Sequence, residues 1–265
     1  MRILVSKPDS FGDQLIIAGT LQALAQNIGS QGVVIWHVRP GMESVAEILE
    51  GVSVFIPHAQ AAPHEEALRL QQQHTHGLVM VPFPLHAFAE WTSETDRRLE
   101  WWVNFISSQT WSAAVAAVGN RTWVAEVTVA VSRAPIRVGA IANAARQIPV
   151  NAAGTLLGNY SPLFTVELPF DLQSIEAIAL TDLLRAVPGF PAGDTFSAQL
   201  RPDVPSPSPN PQYVAIAPGV GGPASRAWPA EHFQTLAARL SAEGKSILWL
   251  EGPADAAFFA AMKPP

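Results

Sequence analysis

The chain has 265 residues, 48% of them hydrophobic and 14% charged, with a net charge of −6. That composition describes a folded globular protein of two domains or one large α/β domain, and it excludes a disordered chain. It argues against nucleic-acid binding, because Arg121, Arg133, Arg137 and Arg146 are too dispersed to make a basic face, and the lack of cysteine removes disulfides, thiolate metal sites and cysteine nucleophiles while suiting a reducing cytoplasm.

Met1-Arg-Ile-Leu-Val-Ser6 enters a strand pattern at once, with no export signal ahead of it. Ile3 to Val5 reads as a strand, and Leu15, Ile16, Ala18, Leu21, Leu24 and Ile28 recur at helical spacing behind it. Val33 to Val38 and Val52 to Ile56 read as strands separated by a helix from Met42 to Leu49, followed by a polar helix over Glu65 to Gln73 and a strand from Leu78 to Val81. This alternation predicts a parallel sheet wrapped by helices. No run approaches the ~20 apolar residues that cross a bilayer. Glu90 to Val118 reads as a helix or helix pair carrying Trp91, Trp101, Trp102, Phe105 and Trp111. Such aromatics are core by default, with an interfacial surface touching lipid as the alternative. Arg137-Val-Gly-Ala140 starts another strand, residues 142–169 read as a long irregular connection, and Ile175 to Val187 returns to helix.

Prolines at 202, 205, 207, 209 and 211 mark a stiff connector. It divides the chain into an N-terminal domain over 1–200, a linker over 201–211 and a partial C-terminal domain over 212–265. The second begins with a strand at Tyr213, a loop carrying Gly219, Gly221 and Gly222, the cation Arg226, and a helix led by Pro229 and running to about Ala242. A strand over Ser246 to Leu250 and a helix from Ala254 follow.

Two loops carry candidate chemistry. Gly219, Gly221 and Gly222 let backbone N–H groups approach an anion closely, and the following helix start and Arg226 add positive charge, which together suit a diphosphate. Simple turn chemistry and a solvated cation are the plainer reading. The other loop, Lys7-Pro-Asp-Ser-Phe-Gly-Asp13, follows the first strand, where open α/β sheets place ligands. Its single glycine, Gly12, disfavours a dinucleotide dehydrogenase. Ser10 and Asp13 fit an N-cap and its capping-box answer. On spacing alone that capping role is the plainer reading, and the sharper one makes Asp13 a general base for an acceptor hydroxyl, with Asp9 as competitor. Histidines 58, 64, 74, 76 and 86 show no dependable metal spacing, so no metal is expected, and no nucleophile elbow or P-loop is present.

Together, Arg2-Ile-Leu-Val-Ser-Lys-Pro-Asp-Ser-Phe-Gly-Asp13, Arg137-Val-Gly139, Ala217-Pro-Gly219, Arg226-Ala-Trp-Pro-Ala-Glu-His-Phe233 and Leu248-Trp-Leu-Glu-Gly-Pro-Ala-Asp255 resemble the lipopolysaccharide heptosyltransferases of glycosyltransferase family nine. The resemblance implies an α/β fold of GT-B type, with two Rossmann-like domains of parallel sheet, the second incomplete here. It implies an inverting transfer of heptose from ADP-heptose to a sugar hydroxyl of the lipopolysaccharide inner core, in the cytoplasm or at the inner face of the inner membrane, with no cofactor. Asp13 then falls on the catalytic base, Ser10 and Gly12 on the acceptor loop, and Arg226 with Gly219, Gly221 and Gly222 on the donor site. Arginine stands where the family commonly has lysine, which keeps the charge. A later Asp-Ser-Gly and His of the family's donor site have no counterpart before Pro265, so an inactive remnant binding glycan, lipid or protein is one alternative. A GT-B enzyme using another nucleotide sugar is the other.

Overall fold

The structure is a computed structural model that describes residues 1–83, 92–118, 123–140, 163–170, 176–203, 213–218, 228–252 and 259. The chain divides into two compact units, Met1–Val204 and Pro205–Pro265. In the first, strands β1 (Arg2–Ser6), β2 (Val33–Val38), β3 (Val52–Val54), β4 (Gly77–Pro82), β5 (Ala113–Ala116), β6 (Ile136–Ala140) and β7 (Val166–Leu168) form one sheet in the order β3-β4-β2-β1-β5-β6-β7. Every pairing is parallel.

Parallel neighbours need crossovers, and here helices supply them on both faces. Ile3, Val5, Trp36, Met80 and Val115 face the layer of α1 (Phe11–Ile28), α2 (Glu43–Ile48) and α6 (Glu176–Leu184). Leu4, Ile35, Val79 and Ala114 face α3 (Pro63–Gln73), α4 (Ser93–Ser107) and α5 (Trp123–Val131). Strands β1, β2 and β5 are therefore buried on both sides, which explains their unbroken apolar runs. After α6 the chain returns across α1. Gly19 admits that passage, since a Cβ there would lie 2.3 Å from the Phe196 carbonyl oxygen. Gln22 fixes it, accepting from Gln199 N–H at 2.8 Å and donating to the carbonyls of Glu50 (2.8 Å) and Gln199 (2.9 Å).

Three elements depart from the sequence reading. The helix expected through Val118 stops at Ser107, and Ala113–Ala116 is a strand between β1 and β6. Alanine favours helix in isolation, but its small side chain also fits a strand covered by helices on both faces. Helix α5 has no counterpart in the reading, because its valines show no amphipathic stripe; residues Val124 to Val131 are all buried. Strand β7 lies inside the stretch read as irregular. Pro229, expected as the first helical residue, is instead the N-cap of α7 (Ala230–Ala242). In the second unit that helix accompanies β8 (Tyr213–Ile216) and β9 (Ser246–Trp249), a parallel pair. Residues 254–258, where a last helix was expected to begin, and Trp91 lie outside the described residues.

The aromatic cluster is core. Trp102, Phe105 and Trp111 are buried, and each indole N–H finds an acceptor: Thr128 Oγ1 at 2.9 Å for Trp102, the Ile106 carbonyl at 2.9 Å for Trp111, and the Ala61 carbonyl at 2.7 Å for the half-buried Trp101. His37, at the end of β2, is enclosed by this cluster, with ring centroids 4.7 Å from Trp102 and 5.3 Å from Phe83. Its Nδ1 bonds Ser6 Oγ at 2.7 Å. No described helix is long and apolar enough to cross a membrane.

Burial pushes the His37 imidazole down from 6.5 to about 3. The unfolded chain thus takes up a proton below pH 6.5 that the folded chain refuses until about pH 3, so acid favours unfolding across that window. We expect urea-derived stability to fall by about 1.4 kcal/mol per pH unit from this group alone, and to be insensitive to it above pH 7. His37→Gln should remove that part of the slope.

Candidate functional site

The loop after β1 leaves the sheet at a special place. β1 pairs with β2 on one side and β5 on the other. The chain lays down β2 beside β1, then β3 at the edge and β4 between β3 and β2, and crosses back to lay down β5, β6 and β7 on the opposite flank. The crossover direction reverses beside β1, where helices on opposite faces leave a crevice at the carboxyl edge. Two bonds extend the ladder to the loop's first residues, Lys7 N–H to the His37 carbonyl and Ala117 N–H to the Ser6 carbonyl, both 2.9 Å.

Beyond that point side chains hold the loop. Lys7, fully buried, donates from Nζ to Asp9 Oδ2 at 2.7 Å and to Glu176 Oε1 at 3.3 Å. Glu176 opens the first turn of α6. Gln14, also buried, donates from Nε2 to the Lys7 carbonyl at 2.8 Å and the Asp9 carbonyl at 3.1 Å. Its Oε1 is buried without a partner, an acceptor that a bound water or hydroxyl would satisfy.

Ser10 then caps α1 in extended conformation. The carboxylate of Asp13 answers it, accepting through Oδ2 from the Ser10 N–H at 2.9 Å and the Ser10 hydroxyl at 2.5 Å. Both bonds fall on one oxygen, so among the described residues Oδ1 has no donor. Asp13 is half-buried, while Ser10 and Gly12 are exposed. Neither conformation nor space requires a glycine at Gly12, since its φ is not positive and a Cβ there meets nothing within 4 Å.

Of the sequence candidates, Ser10, Gly12 and Asp13 thus come together at one helix start. Asp9, the competitor, is tied to Lys7. Gly219, Gly221, Gly222 and Arg226 lie outside the described residues. Their described neighbours are β8, which leads to Pro218, and Trp228, which stacks on His232 at 5.4 Å at the start of α7. The sequence reading gave no role to Lys7, Gln14 or Glu176; a lysine directly after an apolar strand was the available signal for the first. Nor did it note Arg39, just past β2 on the same edge, which has no hydrogen bond or ion pair among the described residues and a buried Nε. Among the described residues no group of three His, Asp or Glu side chains is placed to hold a metal ion.

No protein-family model matches the chain, and no curated protein does. Solved structures of heptosyltransferase type do, and they establish the fold as α/β of the GT-B class. E. coli heptosyltransferase WaaC with ADP-2-deoxy-2-fluoro heptose aligns at TM-score 0.60 and 17% identity, over 96% of this chain and 70% of that one. The glycosyl transferase family 9 structure from Veillonella parvula gives TM-score 0.60 at 12% identity over 97% of this chain and 64% of that one. E. coli ADP-heptose LPS heptosyltransferase II gives 0.52 at 15% identity, over 99% and 69%.

Gln14→Leu keeps the volume but strips two backbone carbonyls of their donor. We expect it to lower stability by about 1–2 kcal/mol in urea titration; an unchanged midpoint would mean that solvent already serves those carbonyls.

Proposed function

We propose that the chain is an inverting glycosyltransferase that moves heptose from ADP-heptose to a sugar hydroxyl of the lipopolysaccharide inner core. The observation that carries this reading is the placement of Asp13: a carboxylate with one oxygen held by Ser10 and the other without a donor among the described residues, at the helix start beside the reversal point of the sheet. The likeness of nearly the whole chain to heptosyltransferase folds, two of whose structures are named with ADP or an ADP-heptose analogue, supports the donor class.

In the proposed reaction Asp13 Oδ1 accepts the proton of the acceptor hydroxyl as its oxygen attacks the anomeric carbon. The bond from that carbon to the diphosphate oxygen breaks, and ADP departs on the far side of the sugar. The bonds from Ser10 to Oδ2 hold the carboxylate plane while Oδ1 works. Arg226 and the N–H groups of the Gly219, Gly221 and Gly222 loop take the charge that grows on the leaving diphosphate. The scheme uses no metal: the Arg226 guanidinium and the backbone donors of the glycine loop neutralise the leaving charge.

Asp13→Ala should reduce transfer by roughly 10²–10⁴-fold while sparing donor affinity measured by calorimetry. Near-normal turnover would remove Asp13 from the role of base. Arg226→Ala should do the reverse, weakening ADP-heptose by about tenfold or more, and an unchanged dissociation constant would refute its contact with the phosphates.

A further inference from the structure

Lys7 is the least expected residue of the first unit: a side chain with 0% exposure, at the end of a strand, between two carboxylates that are themselves 25% and 41% exposed. An ammonium removed from water at this depth is several kcal/mol unfavourable unless it is paired, and here it is paired twice. Because no part of it reaches solvent, it cannot touch a substrate. Its partners say what it does instead. Asp9 lies two residues along the same loop, so that bond folds the loop back on the strand. Glu176 lies 169 residues away on α6, so the second bond fastens the loop to another helix.

We infer that Lys7 is a positioning residue for the proposed transfer, acting with Glu176 to clamp the β1–α1 loop so that Ser10 presents the Asp13 carboxylate at one angle. The inference rests on the function proposed above and deepens it. The clamp works with a second fastening, since Gln14 Nε2 holds the carbonyls of Lys7 and Asp9 from the helix side. The loop is thereby pinned at its first residue by the ladder, at its first and third residues by the ion pairs and amide bonds, and at Ser10 by Asp13. Release of the ion pairs leaves the helix cap intact but lets the cap and Asp13 move together relative to the sheet. A displacement of about 1 Å at a reacting group is enough to lose about 10²-fold in rate.

The test uses the full 265-residue chain and two variants. Lys7→Met keeps an apolar side chain of similar length, and the carboxylates it releases are already partly in water; Glu176→Gln keeps the shape and removes one charge. Hydrogen exchange of the amides from Lys7 to Gln14 and steady-state transfer from ADP-heptose are measured for each. The expected result is exchange about tenfold faster in that segment alone, a midpoint of thermal unfolding within about 4 °C of the parent, and a turnover number reduced about tenfold or more with donor KM changed less than about twofold. A purely structural lysine would lower the midpoint and leave kcat and KM of the folded fraction unchanged, and that outcome overturns the inference. Unchanged exchange in both variants overturns it as well. If the parent shows no transfer, the proposed function fails and the exchange result alone decides the clamp. If Lys7→Met does not fold, the same readouts on Glu176→Gln decide it.

Discussion

A parallel sheet buried on both faces must reverse the hand-over of its crossovers somewhere, and in this chain it does so beside β1. Helices α1, α2 and α6 cover one face and α3, α4 and α5 the other, so the connections from β1 to β2 and from β4 to β5 run in opposite directions. The first connection cannot be closed over by its neighbour, and the residues that follow β1 are left at the mouth of a crevice. The site proposed in the first unit depends on that constraint. The helix start, the capping serine and the open oxygen of Asp13 are ordinary features that would mean little elsewhere on the surface.

An open crevice also exposes its loop to disorder, and the chemistry of the surrounding residues counters that. The backbone carbonyls of Lys7 and Asp9 are given a donor by Gln14, and the charge of Asp9 is paired by the buried Lys7 ammonium. His37, one strand over, is kept neutral by burial and supplies both a carbonyl to Lys7 and a ring nitrogen to Ser6. Through His37 the start of the loop is joined to the buried aromatic cluster of Trp102 and Phe83.

Much of this was legible in the sequence because local signals and tertiary outcome agree. The apolar runs of β1, β2 and β4 and the spacing of α1 give the alternation, and Ser10 with Asp13 gives a helix start by capping chemistry alone. Ala113–Ala116 was not legible, since four small residues owe their strand conformation to the neighbours that pair with them. The valine-rich α5 misled for the opposite reason, its β-branched side chains being tolerated in a helix with no exposed face. The clamp was invisible because Lys7 and Glu176 meet only through the fold, and nothing local to Glu176 distinguishes it from any acidic residue in a first turn. The donor-side assignments to Gly219, Gly221, Gly222 and Arg226 rest on sequence and resemblance.

The central claim is that Asp13 directs a single displacement at the anomeric carbon. Proton NMR of the glycosylated product, formed from ADP-heptose and an inner-core acceptor, reads the anomeric configuration directly. The account predicts one heptose added with configuration inverted relative to the donor. A product with retained configuration, or release of ADP and free heptose with no transfer, would contradict it.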